Sequence, residues 1–102
     1  MIRKTLTGKE RNFLRKMGTD LDPVVNIGKD GVTPAVVESA RDAITKRELI
    51  KVRALQNAPE EPKDAIERLT ERVDADLVRI IGRNGLIFKR NFKKPRIEFP
   101  EE

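Results

Sequence analysis

A chain of 102 residues, 38% of them charged and carrying a formal net charge of +5, supports one domain with a modest core and favours an anionic partner. It contains no Cys and no His, which excludes disulfides, thiolate chemistry, zinc sites built on those ligands and histidine acid–base catalysis. The opening MIRKTLTGKER has no apolar signal-like core and no apolar run reaches membrane-spanning length, so the expected location is the cytoplasm.

Thr7 starts the first predicted helix. TGKE has the form of a capping box, in which Glu10 reaches back to the Thr7 amide. Phe13, Leu14 and Met17 then fall on one face, Arg11, Arg15 and Lys16 fall elsewhere, and Gly18 is expected just past the helix end. PVVNI, Pro23 to Ile27, is short, β-branched and led by proline, which predicts a strand. GKDG follows, and then Thr33 as N-cap and Pro34 at the first helical position open a second helix. Val36, Val37, Ala40 and Ile44 form its buried stripe.

ELIKVRAL, Glu48 to Leu55, alternates cleanly as a second strand. Ile50, Val52 and Ala54 point one way, while Leu49, Lys51 and Arg53 point the other. Two cations on one strand face predict a sheet whose helices pack mainly on the opposite side. NAPEEPKD is a loop, and Ala65, Ile66, Leu69 and Val73 give a third helix with Glu67, Arg68, Glu71 and Arg72 outward. DLVRIIGRNGLIFKR reads as a hairpin, because Asn84-Gly85 is the preferred dipeptide of a type I′ turn. A two-residue turn there sets Arg79 opposite Arg90 and Ile81 opposite Phe88, with Val78, Ile80 and Ile87 on the other side. A three-residue loop with a bulge shifts that register. The tail NFKKPRIEFPEE reads as loosely held. The order α-β-α-β-α-β-β predicts an α/β (α+β) two-layer sandwich with a four-stranded mixed sheet. One domain spans 1–102, with a core of about 5–90 and a basic tail of 91–102.

Charge is segregated along the chain. Residues 1–16 hold six Lys/Arg against one Glu, and residues 83–102 hold six against three acidic residues. Residues 57–76 reverse this, with three basic and seven acidic, so a positive and an acidic side are expected.

GKDG, Gly28-Lys29-Asp30-Gly31, lies between a strand end and a helix start. Helix N-termini offer free N–H groups to anions, glycines let a phosphate approach the backbone, and Lys29 adds a cation at the tip. A G-x-x-G loop clamps the nucleic-acid backbone in this way in KH modules; a tight turn with glycines at positive φ is the plainer alternative. Asp30 is expected to point away from an anion. The pattern G-x-x-x-x-G-K-[ST] is absent, as is G-x-G-x-x-G, so nucleotide hydrolysis and dinucleotide binding have no support. Glu60, Glu61, Asp64, Asp74 and Asp76 fall in polar surroundings and read as solvated charge, so no cofactor, metal or catalytic group is expected.

The basic residues say more as a set. Lys51 and Arg53 lie on the open sheet face, joined by Arg79 and Arg90 under the two-residue turn. Arg83 is at the hairpin tip, and Lys89, Lys93, Lys94 and Arg96 belong to the end of the chain. Cations gathered on one face suit a polyanion. With four Phe and no Tyr or Trp, backbone and shape recognition is favoured over base stacking.

LTGKERNFLRKM, PVVNIGKDGVTPAVV, ELIKV and IIGR…LIFKR occur in an order and spacing that resembles the CRM domain, the chloroplast RNA splicing and ribosome maturation family. The resemblance is to its single-domain, YhbY-like members and covers roughly residues 5–90. It implies an RNA-binding domain, a fold similar to the C-terminal domain of translation initiation factor three, and association with precursors of the large ribosomal subunit. The family's GxxG loop lands on Gly28–Gly31 and its basic residues on Lys51, Arg53 and Arg90. Where the family usually ends its last strand with Tyr-Arg, this chain has Lys89-Arg90. The expectation is a monomeric, non-enzymatic RNA-binding protein of ribosome assembly. The alternative is a ribosome-associated adaptor that docks proteins on the acidic side of its third helix.

Overall fold

In the computed structural model, which describes residues 6–100, the chain runs α1 (Gly8–Gly18), β1 (Pro23–Ile27), α2 (Pro34–Arg47), β2 (Leu49–Ala54), α3 (Pro62–Arg72), β3 (Asp76–Ile81) and β4 (Asn84–Phe88). Arg3 and Lys4 of the basic N-terminal run lie outside the described residues. The capping box is closed. Thr7 N–H donates to Glu10 Oε1 at 2.9 Å, and Glu10 N–H donates to Thr7 Oγ1 at 3.1 Å. Thr33 caps α2 by accepting from Val36 N–H at 3.2 Å, with Pro34 following it.

The four strands form one mixed sheet in the order β1-β2-β4-β3. β1 and β2 are parallel across the α2 connection, and β4 is antiparallel to both β2 and β3. α2 and α3 cover one face. Val25, Ile27, Ile50, Val52, Ala54 and Ile87 of the sheet meet Val37, Ala40, Ile44, Ala65, Ile66 and Leu69 of the helices there. The other face is not bare. α1 crosses it with Leu14, which packs with Leu49, Val78, Leu86, Phe88 and Ile97 in a second, smaller core. Two helices on one face and one on part of the other satisfy the expected architecture, with the open area smaller than the strand pattern implied.

The hairpin differs from the expected register. Its two-residue turn is Gly82-Arg83, with Ile81 opposite Asn84 and Arg79 opposite Leu86. Gly82 takes φ +58°, the left-handed region required at the first central position of a type II′ turn. Asn84 and Gly85 belong instead to β4. The reason lies in packing, because a Cβ on Gly85 would collide with the Ile66 side chain. Arg79 therefore does not face Arg90, nor Ile81 Phe88; Phe88 lies opposite Asp76. A register shift between Leu77 and Arg79 also turns Val78 toward α1, away from Ile80. Arg11 Nη1 donates to the Leu77 and Val78 carbonyls at 2.7 and 3.2 Å, so α1 fastens the distorted segment. Gly18 is the last residue of α1 and not a left-handed cap. It is small because Leu86 occupies the space where its Cβ would be.

Residues 91–99 of the tail are pinned, contrary to its loose reading, while Glu101 and Glu102 lie outside the described residues. Glu48, expected to begin a strand, instead caps α2 at φ +63° and is completely buried. Its carboxylate accepts from the N–H groups of Asn91, Arg96 and Ile97 at 2.7, 2.6 and 2.7 Å. Ile97 is buried, and Phe99 makes edge contacts with Phe13 and Phe88. The tail thus closes the second core.

Candidate nucleic-acid interface

The GKDG segment is a tight turn at the carboxyl end of β1. Gly31 N–H donates to Gly28 O at 3.0 Å, and Thr33 N–H donates to Gly31 O at 3.0 Å. Its two glycines are there for different reasons. Gly31 has φ +74° and is buried against Pro59, so the fold itself demands it. Gly28 has no such φ, and a Cβ there would meet nothing within 4 Å among the described residues. Lys29 and Asp30 between them are exposed. The start of α2 is less open to an anion than the sequence implied. Val36 N–H is taken by Thr33 Oγ1, Val37 N–H by Thr33 O, and Pro34 has no N–H. The loop therefore offers the Lys29 cation and an unobstructed Gly28 backbone more than a helix terminus.

Short links bind this loop to the hairpin tip. Leu55 N–H donates to Ile27 O at 2.9 Å and Ala54 N–H donates to Arg83 O at 2.8 Å, while Arg83 Nη1 reaches Leu55 O at 3.4 Å. Arg53 sits in the same end of the sheet, in register with Asn26 on β1 and Asn84 on β4. One step further along, Lys51, Leu86 and Arg79 lie side by side on three neighbouring strands. Strand alternation puts Lys51 and Arg53 on this face because Ile50, Val52 and Ala54 are claimed by the core. α1 adds Arg15, which lines the same cleft as Lys51 and Arg79. Arg15 had registered in the sequence only as a charge on the outer side of a helix. What joins it to this surface is the crossing of α1 over the sheet, which no local pattern announces.

Gly28, Lys29, Asp30, Gly31, Lys51, Arg53, Arg79 and Arg83 are thus gathered along one face and one end of the sheet. Lys89 and Arg90 are not. Lys89 Nζ donates to Val73 O at the end of α3 at 3.0 Å. Arg90 Nη1 is 3.1 Å from Glu48 Oε2, donates to Ile97 O at 2.8 Å, and lies over the rings of Phe88 and Phe99 at 5.6 and 5.0 Å. Its side chain is only 25% exposed, which ties its charge to the fold. Burial alone pushes the Glu48 carboxyl up, but the Asn91, Ile97 and Arg96 amides and the Arg90 charge outweigh it, and the net direction is down.

Among the described residues no group of three or more acidic side chains could hold a metal ion, and no helix is long and apolar enough to cross a membrane.

Comparison with known proteins shows the family of the chain. The chain is similar to the probable RNA-binding protein YqeI of Bacillus subtilis, with 37% identity over 93% of this chain and 99% of the relative. A protein of Haemophilus influenzae named RNA-binding protein is 30% identical over 96% of this chain and 98% of its own. The solution structure of the hypothetical protein SAV1595 from Staphylococcus aureus superposes with a TM-score of 0.77 at 35% identity, covering 94% of this chain and 100% of that one. Residues 6–89, which hold the GKDG turn, the basic sheet face and the hairpin, match the CRS1 / YhbY (CRM) domain, and the chain belongs to that family.

Proposed function

We propose that this protein is a monomeric, cytoplasmic, non-enzymatic RNA-binding protein that acts on ribosomal RNA or large-subunit precursors during ribosome assembly. The observation that carries the reading is the alignment of the Gly28–Gly31 turn, Arg53 and Arg83 with Lys51 and Arg79 on one face, in a chain whose relatives are named RNA-binding. A phosphate backbone tracked along that face meets a cation at each step, and counterion release supplies the affinity. Gly28 admits the backbone closely at one end, and Lys29 neutralises it there.

In a lysate resolved by sedimentation, the protein should travel with large-subunit particles or their precursors at low salt and leave them at high salt. Sedimentation as free protein at every salt concentration would remove the ribosomal role.

A further inference from the structure

We propose that the cleft between the end of α1 and the sheet takes one unpaired nucleobase of a bound RNA, an inference that rests on the RNA-binding reading above. The cleft has a volume of about 210 Å³, below the roughly 300–1,000 Å³ of sites for drug-sized ligands and suited to one ring system. Arg15, Lys51 and Arg79 surround it, and none of the described residues lining it is acidic. Its apolar part is Leu86, which is buried, and Ile81, which is 57% exposed.

That exposed Ile81 among cations is the informative feature. Phosphates gain nothing from an aliphatic surface, whereas the face of a base does. The two guanidinium groups can stack on a base as well as meet its flanking phosphates, which provides a platform without Tyr or Trp. Asn84 contributes the polar element. Its Oδ1 is buried and has no hydrogen-bond partner among the described residues, and rotation of the amide would offer both donor and acceptor to a base edge. The turn at Gly28–Gly31 lies beyond the end of β1, so the backbone contact and the base contact are separate parts of one surface.

Two RNA hairpins test this, identical except that one carries a single extruded 2-aminopurine nucleotide in its stem. Wild-type protein should bind the bulged hairpin about fivefold more tightly or better, the low end of what one base contact supplies. Ile81→Ala, a change at an exposed position, should bring the two affinities together. Equal wild-type affinity for both hairpins, or an undiminished preference in Ile81→Ala, overturns the cleft and leaves the RNA reading standing. Failure of wild-type protein to bind either hairpin overturns both.

Discussion

Glu48 and Arg90 form an ion pair of 3.1 Å in which the carboxylate is fully buried. The pair holds the end of α2, the end of β4 and the tail together, and breaking such a pair leaves a buried charge uncompensated. Arg90→Ala should destabilise the fold by about 3 kcal/mol, toward the low end for buried pairs because three amides still serve the carboxylate. Thermal unfolding measures this. An unchanged melting temperature would mean that Arg90 is free for another task.

The same carboxylate sets an acid limb. Its folded pKa is lowered, so its contribution is complete above the unfolded value of about 4.3 and is lost as pH falls through the folded pKa. Glu48→Gln should therefore be less stable than wild type at neutral pH, and the gap should shrink as pH falls below about 4. A gap that stays constant across the acid range would show that Glu48 does not titrate with unfolding.

Gly85→Ala should cost about 1–3 kcal/mol by overpacking against Ile66. Ile66→Ala removes Cγ2, the atom nearest to that Cβ, so the double variant should lose less than the sum of the two single changes. Strict additivity in denaturant unfolding would mean that the two side chains do not compete for that space.

The two glycines of the turn should separate fold from binding. Gly31→Ala forces a Cβ into φ +74° near Pro59 and should lower stability by about 1–2 kcal/mol. Gly28→Ala should leave stability within about 0.5 kcal/mol, since none of the described residues lies within 4 Å of the added Cβ, yet weaken RNA binding. Lys29→Ala should reduce the salt slope of log affinity by roughly 0.7–0.9, the value of one phosphate contact. Full RNA affinity in Gly28→Ala would mean that the backbone is not approached there.

What the sequence made legible is what local chemistry decides. The capping box at Thr7, the Thr33–Pro34 helix start and the strand from Pro23 to Ile27 each depend on neighbours a few residues away, and the structure has them as expected. The basic face was legible too, because alternation in β2 settles which side Lys51 and Arg53 take. Elements that depend on distant partners were not. Asn84-Gly85 has the stronger local turn preference, yet Ile66 from α3 claims the space beside Gly85 and the turn moves to Gly82-Arg83. Glu48 looked like the start of a strand because nothing nearby reveals that residues 91–97 will donate to it. Arg90 was drawn from the sheet face by that carboxylate, and Arg15 was brought to the face by the crossing of α1.

The most direct measurement is the affinity for a structured RNA across about 50–200 mM salt, for wild type and for Lys51→Ala/Arg53→Ala, with melting curves alongside. The expected result is a steep linear dependence of log affinity on log salt in the wild type. In the variant the slope should fall by roughly 1.4–1.8, two phosphate contacts' worth, while stability stays within about 0.5 kcal/mol. An unchanged slope and affinity in the folded variant would contradict the basic sheet face as the RNA-binding surface.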